Sequence, residues 1–85
     1  GIRVNTLSPG LILTPTFEAS GATPAFAAGL QPLAEAGRPA HVGDAAVFLA
    51  SDEARFVAGS DLVVDGAALA EGLGLWKKLL GGGEA

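Results

Sequence analysis

The stretch that decides the fold is VNTLSPGLILTP, residues 4–15, which passes from a strand through a tight turn into a short apolar loop. Side chains alternate between two faces over residues 2–8, and the β-branched residues among them favour a strand. Pro9 and Gly10 end that strand, because proline removes a ladder donor and glycine opens unusual backbone angles. We therefore predict a strand over residues 2–8 and a loop over residues 9–15.

The chain beyond this stretch continues as a loop, a helix and a second strand. Residues 16–38 are rich in Ala, Gly, Thr and Pro, which indicates a mobile loop with one or two helical turns, one of them beginning at Pro24. Residues 39–51 begin with a proline and then repeat apolar side chains at helical spacing, which predicts a helix. Residues 60–65 are apolar through their centre, as in a buried parallel strand. A strand–helix–strand order of this kind predicts an α/β fold with a right-handed parallel crossover.

Residues 68–85 form a C-terminal extension or tail. Four apolar side chains recur there at helical spacing: Leu69, Leu73, Trp76 and Leu80. Gly72 and Gly74 weaken such a helix by roughly 1 kcal/mol each. We expect the last five residues to be frayed.

The composition indicates a domain that is incomplete when isolated. The chain has 85 residues, of which 49% are hydrophobic and 16% are charged, against about 25% charged in a typical soluble domain. A small domain has proportionally more surface than a large one and needs more charge, yet this chain carries less. We therefore expect much of its outer surface to be covered by other residues or by partner subunits.

Charge and residue usage exclude several classes of function. The net charge of −4 gives no basic patch for phosphate backbones, so we expect no nucleic-acid partner. The chain has no cysteine and one histidine, which excludes a thiolate or histidine-rich metal site. No apolar run approaches the roughly 18 residues of a membrane-spanning helix, so we expect no membrane partner. A cytoplasmic location is the expectation.

The Pro-Gly turn marks a candidate ligand site, because open α/β sheets bind ligands at the carboxyl ends of their strands. Gly10 lets a flat ring approach the backbone, and the amide and carbonyl of an extended Ile12 suit a carboxamide. Thr14 adds a hydroxyl. The alternative is an ordinary turn that ends a strand and buries an isoleucine.

Two blocks of sequence resemble the short-chain dehydrogenase/reductase family. That family's sixth strand commonly reads Gly-Ile-Arg-Val-Asn and is followed by Pro-Gly-x-Ile/Val-x-Thr, which residues 1–14 match. Residues 37–66 look like its last helix and seventh strand. The resemblance covers about residues 1–67 and implies the C-terminal strand–helix–strand portion of a Rossmann-type doubly wound parallel sheet.

The resemblance also implies a function. A family member transfers hydride between NAD or NADP and an alcohol or ketone, and many members are homo-oligomers. The resemblance implies that the nicotinamide end of the cofactor contacts Pro9, Gly10, Ile12 and Thr14. It also implies that residues 16–38 form the substrate lid. The family's catalytic serine, Tyr-x-x-x-Lys pair and supporting asparagine lie upstream of the matching region, and this chain has no tyrosine. We therefore assign no catalytic residue here and expect the chain alone to be inactive. The alternative is a truncated, noncatalytic protein that acts only as an interaction or oligomerisation module.

A few residues depart from the family or invite other roles. Ala40-His41 stand where the family often has acidic residues at the start of the last helix, and Ala67 replaces the second glycine of Val-Asp-Gly-Gly. His41 suits a capping or surface position better than a catalytic base. Asp61 and Asp65 flank one strand and are expected to be solvated or capping carboxylates rather than an acid/base pair.

Overall fold

A parallel pair of strands joined by a helical crossover forms the centre of the molecule. The computed structural model describes residues 1–71. The strands are β1 (Thr6–Pro9) and β2 (Asp61–Val64). Between and after them lie the helices α1 (Pro15–Ala19), α2 (Pro24–Ala28), α3 (Pro39–Ala50) and α4 (Ala68–Glu71), with one turn of 3-10 helix at Asp52–Ala54. This arrangement confirms the α/β class.

The first strand is shorter than the sequence predicts and ends later. The ladder pairs Thr6 with Asp61 and Pro9 with Val64, whereas the prediction was a strand over residues 2–8. Upstream of that pairing, Gly59, whose φ is +73°, donates its amide hydrogen to the carbonyl of Val4 at 2.8 Å, but the regular ladder does not continue. Residues 2–5 therefore lack a regular strand partner within the described part of the chain, and the predicted boundaries were wrong for that reason. The second strand lies inside the predicted 60–65.

Helix α3 matches its predicted span to within one residue, Pro39–Ala50 against 39–51. One face is half-buried against the strands, and its members stand at positions i, i+3 and i+7: Val42, Ala45 and Leu49. Val47 and Phe48 lie outside this buried face, since their exposed fractions are 69% and 42%. A single sheet face packs on α3, so a single helix face is covered.

Hydrogen bonds from Arg3 link the start of the chain to the end of α3. Its guanidinium donates hydrogen bonds to the carbonyl oxygens of Leu49 (2.9 Å), Ser51 (3.3 Å) and Val57 (3.1 Å). Leu49 lies in the last turn of the helix and Ser51 is its C-cap, where a positive charge complements the helix dipole. The side-chain amide of Asn5 adds a bond of 3.0 Å to the carbonyl of Val57. These contacts hold α3 against the sheet.

The segment expected to be a mobile loop with helical turns contains two short helices. Each begins at a proline preceded by a capping threonine, and the helix expected at Pro24 is confirmed. The hydroxyl oxygen of Thr23 accepts the amide hydrogen of Phe26 at 3.1 Å. Beneath these helices lies a small core made of Leu13, Ala27 and Ala36, with Phe17 and Ala22 packed against it. Packing on this core holds residues 16–38 at the carboxyl ends of the strands.

The opposite face of the sheet is bare. Thr6, Ser8 and Val63 on this face are exposed. Before β1, Ile2 and Val4 are 93% and 71% exposed. Such side chains are normally covered in a complete domain. The bare face agrees with the prediction of an α/β unit that is incomplete on its own.

Candidate functional site

The candidate site lies where the carboxyl ends of both strands meet residues 31–37. An open cavity of about 270 Å³ occupies this place. Its apolar wall includes Leu11, Ile12, Leu33 and Val64. This is the edge at which parallel sheets bind ligands.

Gly10 stands directly against the end of the second strand. Its amide donates a hydrogen bond of 2.9 Å to the carbonyl of Val64. A Cβ at position 10 would lie 2.6 Å from Cβ and 2.9 Å from Cα of Asp65, closer than real Cβ contacts come. The glycine is therefore required by a protein neighbour. The approach of a flat ring to this glycine stays a prediction.

Ile12 lies in an extended segment that pairs with residue 37. The two residues form an isolated parallel bridge, in which the amide of Leu13 donates to the carbonyl of Gly37 at 2.7 Å. A Cβ on Gly37 would lie 2.5 Å from the carbonyl oxygen of Leu11, so glycine permits the bridge. In such a bridge the neighbours of Ile12 make the bonds, and its own N–H and C=O face the other way. Within residues 1–71, no hydrogen bond engages either group of Ile12.

Thr14 caps the first helix. Its backbone is extended, with φ −101° and ψ 164°, and its hydroxyl oxygen accepts the amide hydrogen of Phe17 at 3.2 Å. This contact uses the oxygen as an acceptor and leaves the hydroxyl hydrogen available for donation. The predicted site residues are therefore spread along the chain from the end of β1 to the start of α1, in the order Pro9, Gly10, Ile12 and Thr14.

Gln31 and Gly66 form a contact that the sequence analysis missed. Gln31 is 5% exposed, and its amide nitrogen donates to the carbonyl of Ala27 at 2.9 Å and to the carbonyl of Glu35. Gly66 has a φ of +62°, and a Cβ there would lie 2.7 Å from Cγ of Gln31. The amide of Leu33 also donates to the carbonyl of Gly66 at 3.2 Å. A turn signal was visible at Gly66, whereas nothing in the sequence marks a partner 35 positions away.

His41 caps the start of α3, which confirms its capping interpretation. Its Nδ1 accepts the amide hydrogen of Arg38 at 2.9 Å, while its Nε2 lies 3.5 Å from a carboxylate oxygen of Glu35. The imidazole is engaged at both nitrogens by residues near the helix start.

The two aspartates of the second strand have separate structural roles. Asp65 caps α4: its two carboxylate oxygens accept the amide hydrogens of Ala67 (2.9 Å) and Leu69 (2.8 Å). Asp61 accepts hydrogen bonds from the hydroxyls of Ser8 (2.7 Å) and Thr6 (2.8 Å).

The bond from Ser8, and then the bond from Thr6, lower the pKa of the Asp61 carboxyl below its usual range. The expectation that Asp61 and Asp65 are capping or solvated carboxylates is confirmed. Among residues 1–71, no three His, Cys, Asp or Glu side chains converge to hold a metal ion.

Ala67 adopts a conformation that favours glycine. Its φ is +74°, and it follows Gly66 in the turn after β2. The turn forms despite the substitution, at the cost of left-handed backbone strain in a residue with a Cβ. The departure from Gly-Gly therefore changes the strain of the turn and leaves its shape in place.

Comparison with known proteins begins with a family model that matches residues 1–67 and is described as enoyl-(acyl carrier protein) reductase. The (+)-cis,trans-nepetalactol synthase NEPS2 of Nepeta racemosa is 48% identical in an alignment of 75 positions that covers 81% of this chain and 28% of that protein. L-fucose dehydrogenase of Bos taurus is 49% identical in an alignment of 75 positions that covers 80% of this chain and 27% of the relative. The chain thus spans little more than a quarter of the length of these relatives.

Solved structures with the same fold include ElxO with NADP bound, with a TM-score of 0.70, 27% identity, and coverage of 82% of this chain and 30% of that one. A short chain dehydrogenase/reductase family protein has a TM-score of 0.68 and 46% identity, with coverage of 82% and 28%. Within residues 1–71, no helix has the length and apolar character needed to cross a membrane.

Proposed function

Because the chain belongs to the short-chain dehydrogenase/reductase family of oxidoreductases, we propose that it is the C-terminal portion of an NAD(P)-dependent enzyme that moves hydride between nicotinamide and an alcohol or ketone. Its own contribution is to hold the nicotinamide end of the cofactor and to cover the substrate. The match over residues 1–67 supports the family chemistry. A solved relative with NADP bound supports the cofactor class.

The nicotinamide assignment is supported mainly by the main-chain N–H and C=O groups of Ile12. Its N–H and C=O have no hydrogen-bond partner within residues 1–71, although the residue is half-buried. One donor and one acceptor side by side on extended backbone match the acceptor and donor of a carboxamide. Backbone polar groups in such a place need a partner, and the carboxamide is the partner we assign.

The other three residues shape this position. Gly10 lets the end of β1 approach Asp65 closely, which fixes where the extended segment begins. Pro9 ends the ladder opposite Val64, and Thr14 presents a hydroxyl hydrogen beyond Ile12. Residues 16–38, seated on the core around Leu13, serve as the substrate lid.

The experiment compares variants of the complete enzyme that contains this segment. Ile12→Pro removes the amide donor, and we expect the KM for NAD(P)H to rise about tenfold, since a lost hydrogen bond at a desolvated site is worth about 1.4 kcal/mol. Leu33→Pro, at a lid residue whose amide bonds to the protein rather than to cofactor, is the control. We expect it to alter the KM of the carbonyl substrate instead. An unchanged cofactor KM in a folded Ile12→Pro enzyme would refute the assignment.

The second candidate is a noncatalytic interaction module, which the exposed apolar side chains of Ile2 and Val4 favour. The two candidates differ in what precedes the segment. An in-frame Tyr-x-x-x-Lys in the upstream coding sequence supports the enzyme, and its absence supports the module. We expect the 85-residue chain by itself to oxidise no NAD(P)H with any carbonyl substrate, because it has no tyrosine to act as the acid.

A further inference from the structure

We propose that Gln31 determines substrate specificity in this site. Its side-chain oxygen accepts a hydrogen bond from a second hydroxyl group, which the substrate carries in addition to the group that reacts. The substrate class that fits is a neutral diol or hydroxy ketone with an otherwise apolar skeleton. This inference rests on the proposed oxidoreductase function and adds a substrate feature to it.

The side-chain amide of Gln31 is held in one orientation by its neighbours in the chain. Its nitrogen donates hydrogen bonds to the main-chain carbonyl of Ala27, at 2.9 Å, and to that of Glu35. Carbonyl oxygens accept hydrogen bonds and do not donate them, so the nitrogen of the amide, and not its oxygen, must face these two groups. The two bonds therefore also fix the position of the oxygen.

The oxygen of this buried amide lacks a partner in the described part of the chain. Gln31 is 5% exposed, yet within residues 1–71 no hydrogen bond reaches its Oε1. Gln31 lines the cavity, and its oxygen is not enclosed by protein atoms. A buried acceptor without a partner costs free energy, so a ligand that displaces water from this oxygen must supply a hydrogen-bond donor.

The rest of the cavity wall indicates what else the ligand carries. Its apolar residues include Leu11, Leu33 and Val64. Glu35 and Asp65 also line it, whereas none of the lining residues within 1–71 is a lysine or an arginine. An anionic substrate would lie near like charges without a basic side chain to pair with. A neutral hydroxyl on an apolar skeleton suits both the wall and the free acceptor.

Gln31 belongs to the substrate side of the site. It lies within residues 16–38, the proposed lid, and both bonds of its nitrogen stay within that segment. Ile12, whose main chain is assigned to the nicotinamide carboxamide, forms its bridge with Gly37 instead. We therefore assign the oxygen of Gln31 to the substrate rather than to the cofactor.

The test uses the complete NAD(P)-dependent enzyme that contains this segment and compares cyclohexanol with the positional isomers of cyclohexanediol. In each oxidation one carbinol carbon gives hydride to NAD(P)+ and its hydroxyl releases a proton, while the second hydroxyl stays intact and can donate to Gln31. We expect kcat/KM for at least one diol to exceed that for cyclohexanol by about tenfold to a hundredfold. Such a gain is well beyond the statistical effect of a second reactive hydroxyl.

Gln31→Met removes the acceptor and keeps the Cγ position that packs against Gly66. We expect this variant to lower kcat/KM for the favoured diol to the value for cyclohexanol. Loosening of the lid through the lost bonds to Ala27 and Glu35 would lower both values together and leave their ratio unchanged. Leu33→Met, on the same wall, is the matched control and is expected to retain the preference for the diol.

Equal kcat/KM values for cyclohexanol and every diol in the unsubstituted enzyme would overturn the inference and leave the proposed function intact. This comparison needs no variant, so it tests the inference even if Gln31→Met fails to fold. A folded Gln31→Met enzyme that keeps the preference also contradicts the inference. A higher KM for NAD(P)+ with an unchanged preference contradicts it too, because the bond would then belong to the cofactor.

Failure of the inference can be distinguished from failure of the proposed function by cofactor binding. An enzyme that binds NAD(P)+ but oxidises none of these alcohols contradicts the inference alone. An enzyme that binds neither NAD nor NADP contradicts the proposed function, and the inference with it.

Discussion

Gly10 and Asp65 approach each other so closely that no side chain fits between them. A Cβ at position 10 would lie 2.6 Å from Cβ of Asp65. The contact joins the turn after β1 to the turn after β2, and so fixes the position of the extended segment that carries Ile12.

Gly10→Ala is expected to lower the free energy of unfolding by about 1–3 kcal/mol, because the new methyl group overpacks two backbones that the ladder holds in place. Urea denaturation measures this change. Gly43→Ala is the control, since nothing lies within 4 Å of a Cβ at that helical position. It is expected to stabilise the protein by up to about 1 kcal/mol. Two substitutions of equal effect would show that the contact with Asp65 is unimportant.

Ala67→Gly is expected to raise the free energy of unfolding by about 1 kcal/mol. The alanine has a φ of +74°, which costs about 1–2 kcal/mol for an L-residue, and glycine recovers most of that at some entropic cost. Ala70→Gly, within α4, is the matched comparison and is expected to destabilise by about 1 kcal/mol. Thermal melts of the two variants should therefore move in opposite directions.

Asp61 is expected to make stability depend on pH in the acid range. Its pKa in the folded protein is lowered by hydrogen bonds from Ser8 and Thr6, so the carboxylate binds its proton less readily than in the unfolded chain. This contribution is present above the unfolded pKa, about 3.9, and is lost as the pH falls through the folded value.

A Ser8→Ala variant should return the Asp61 pKa toward its ordinary value, as followed by carboxyl chemical shifts in an NMR titration. Ser20→Ala removes a serine hydroxyl that donates to the carbonyl of Phe17 instead, and should leave that titration unchanged. A Ser8→Ala titration that matches the unsubstituted protein would contradict the assigned cause.

Arg3→Met is expected to destabilise the protein by about 1–3 kcal/mol and to loosen the last turn of α3. The substitution keeps much of the aliphatic stem and removes three hydrogen bonds to the carbonyls of Leu49, Ser51 and Val57. Amide hydrogen exchange should become faster near residues 48–51. Arg55→Met removes one exposed bond of 3.3 Å to Asp52 and is expected to change stability by less than about 0.5 kcal/mol.

The parts that sequence predicted well are those with a local cause. Helix α3 follows from a proline at its first position and an apolar repeat, and α2 begins at Pro24 as expected. Both patterns act within a few residues, so these elements can be predicted without knowing the rest of the fold.

The parts that sequence missed depend on distant partners. Residues 2–5 have strand-like composition, but the ladder begins only where Asp61 meets Thr6. Gly10 was predicted to leave room for a ligand, and the structure adds a protein neighbour that needs its missing side chain, Asp65, 55 positions later. Such contacts depend on how the strands are placed relative to each other, which no local pattern encodes.

The parallel pairing of β1 with β2 also has a consequence for the order of folding. The hydrogen-bond partners of Arg3, Asn5 and Thr6 lie 46 to 55 positions further along the chain. Pairing of the strands must therefore close a long loop before the first hydrogen bond between them forms. For about 55 residues the entropy of closure is about 3.5 kcal/mol. Helix α3, whose bonds are local, is expected to form early, and the strands are expected to pair late. During that interval the edges of both strands are unpaired, which exposes the chain to aggregation before the sheet forms.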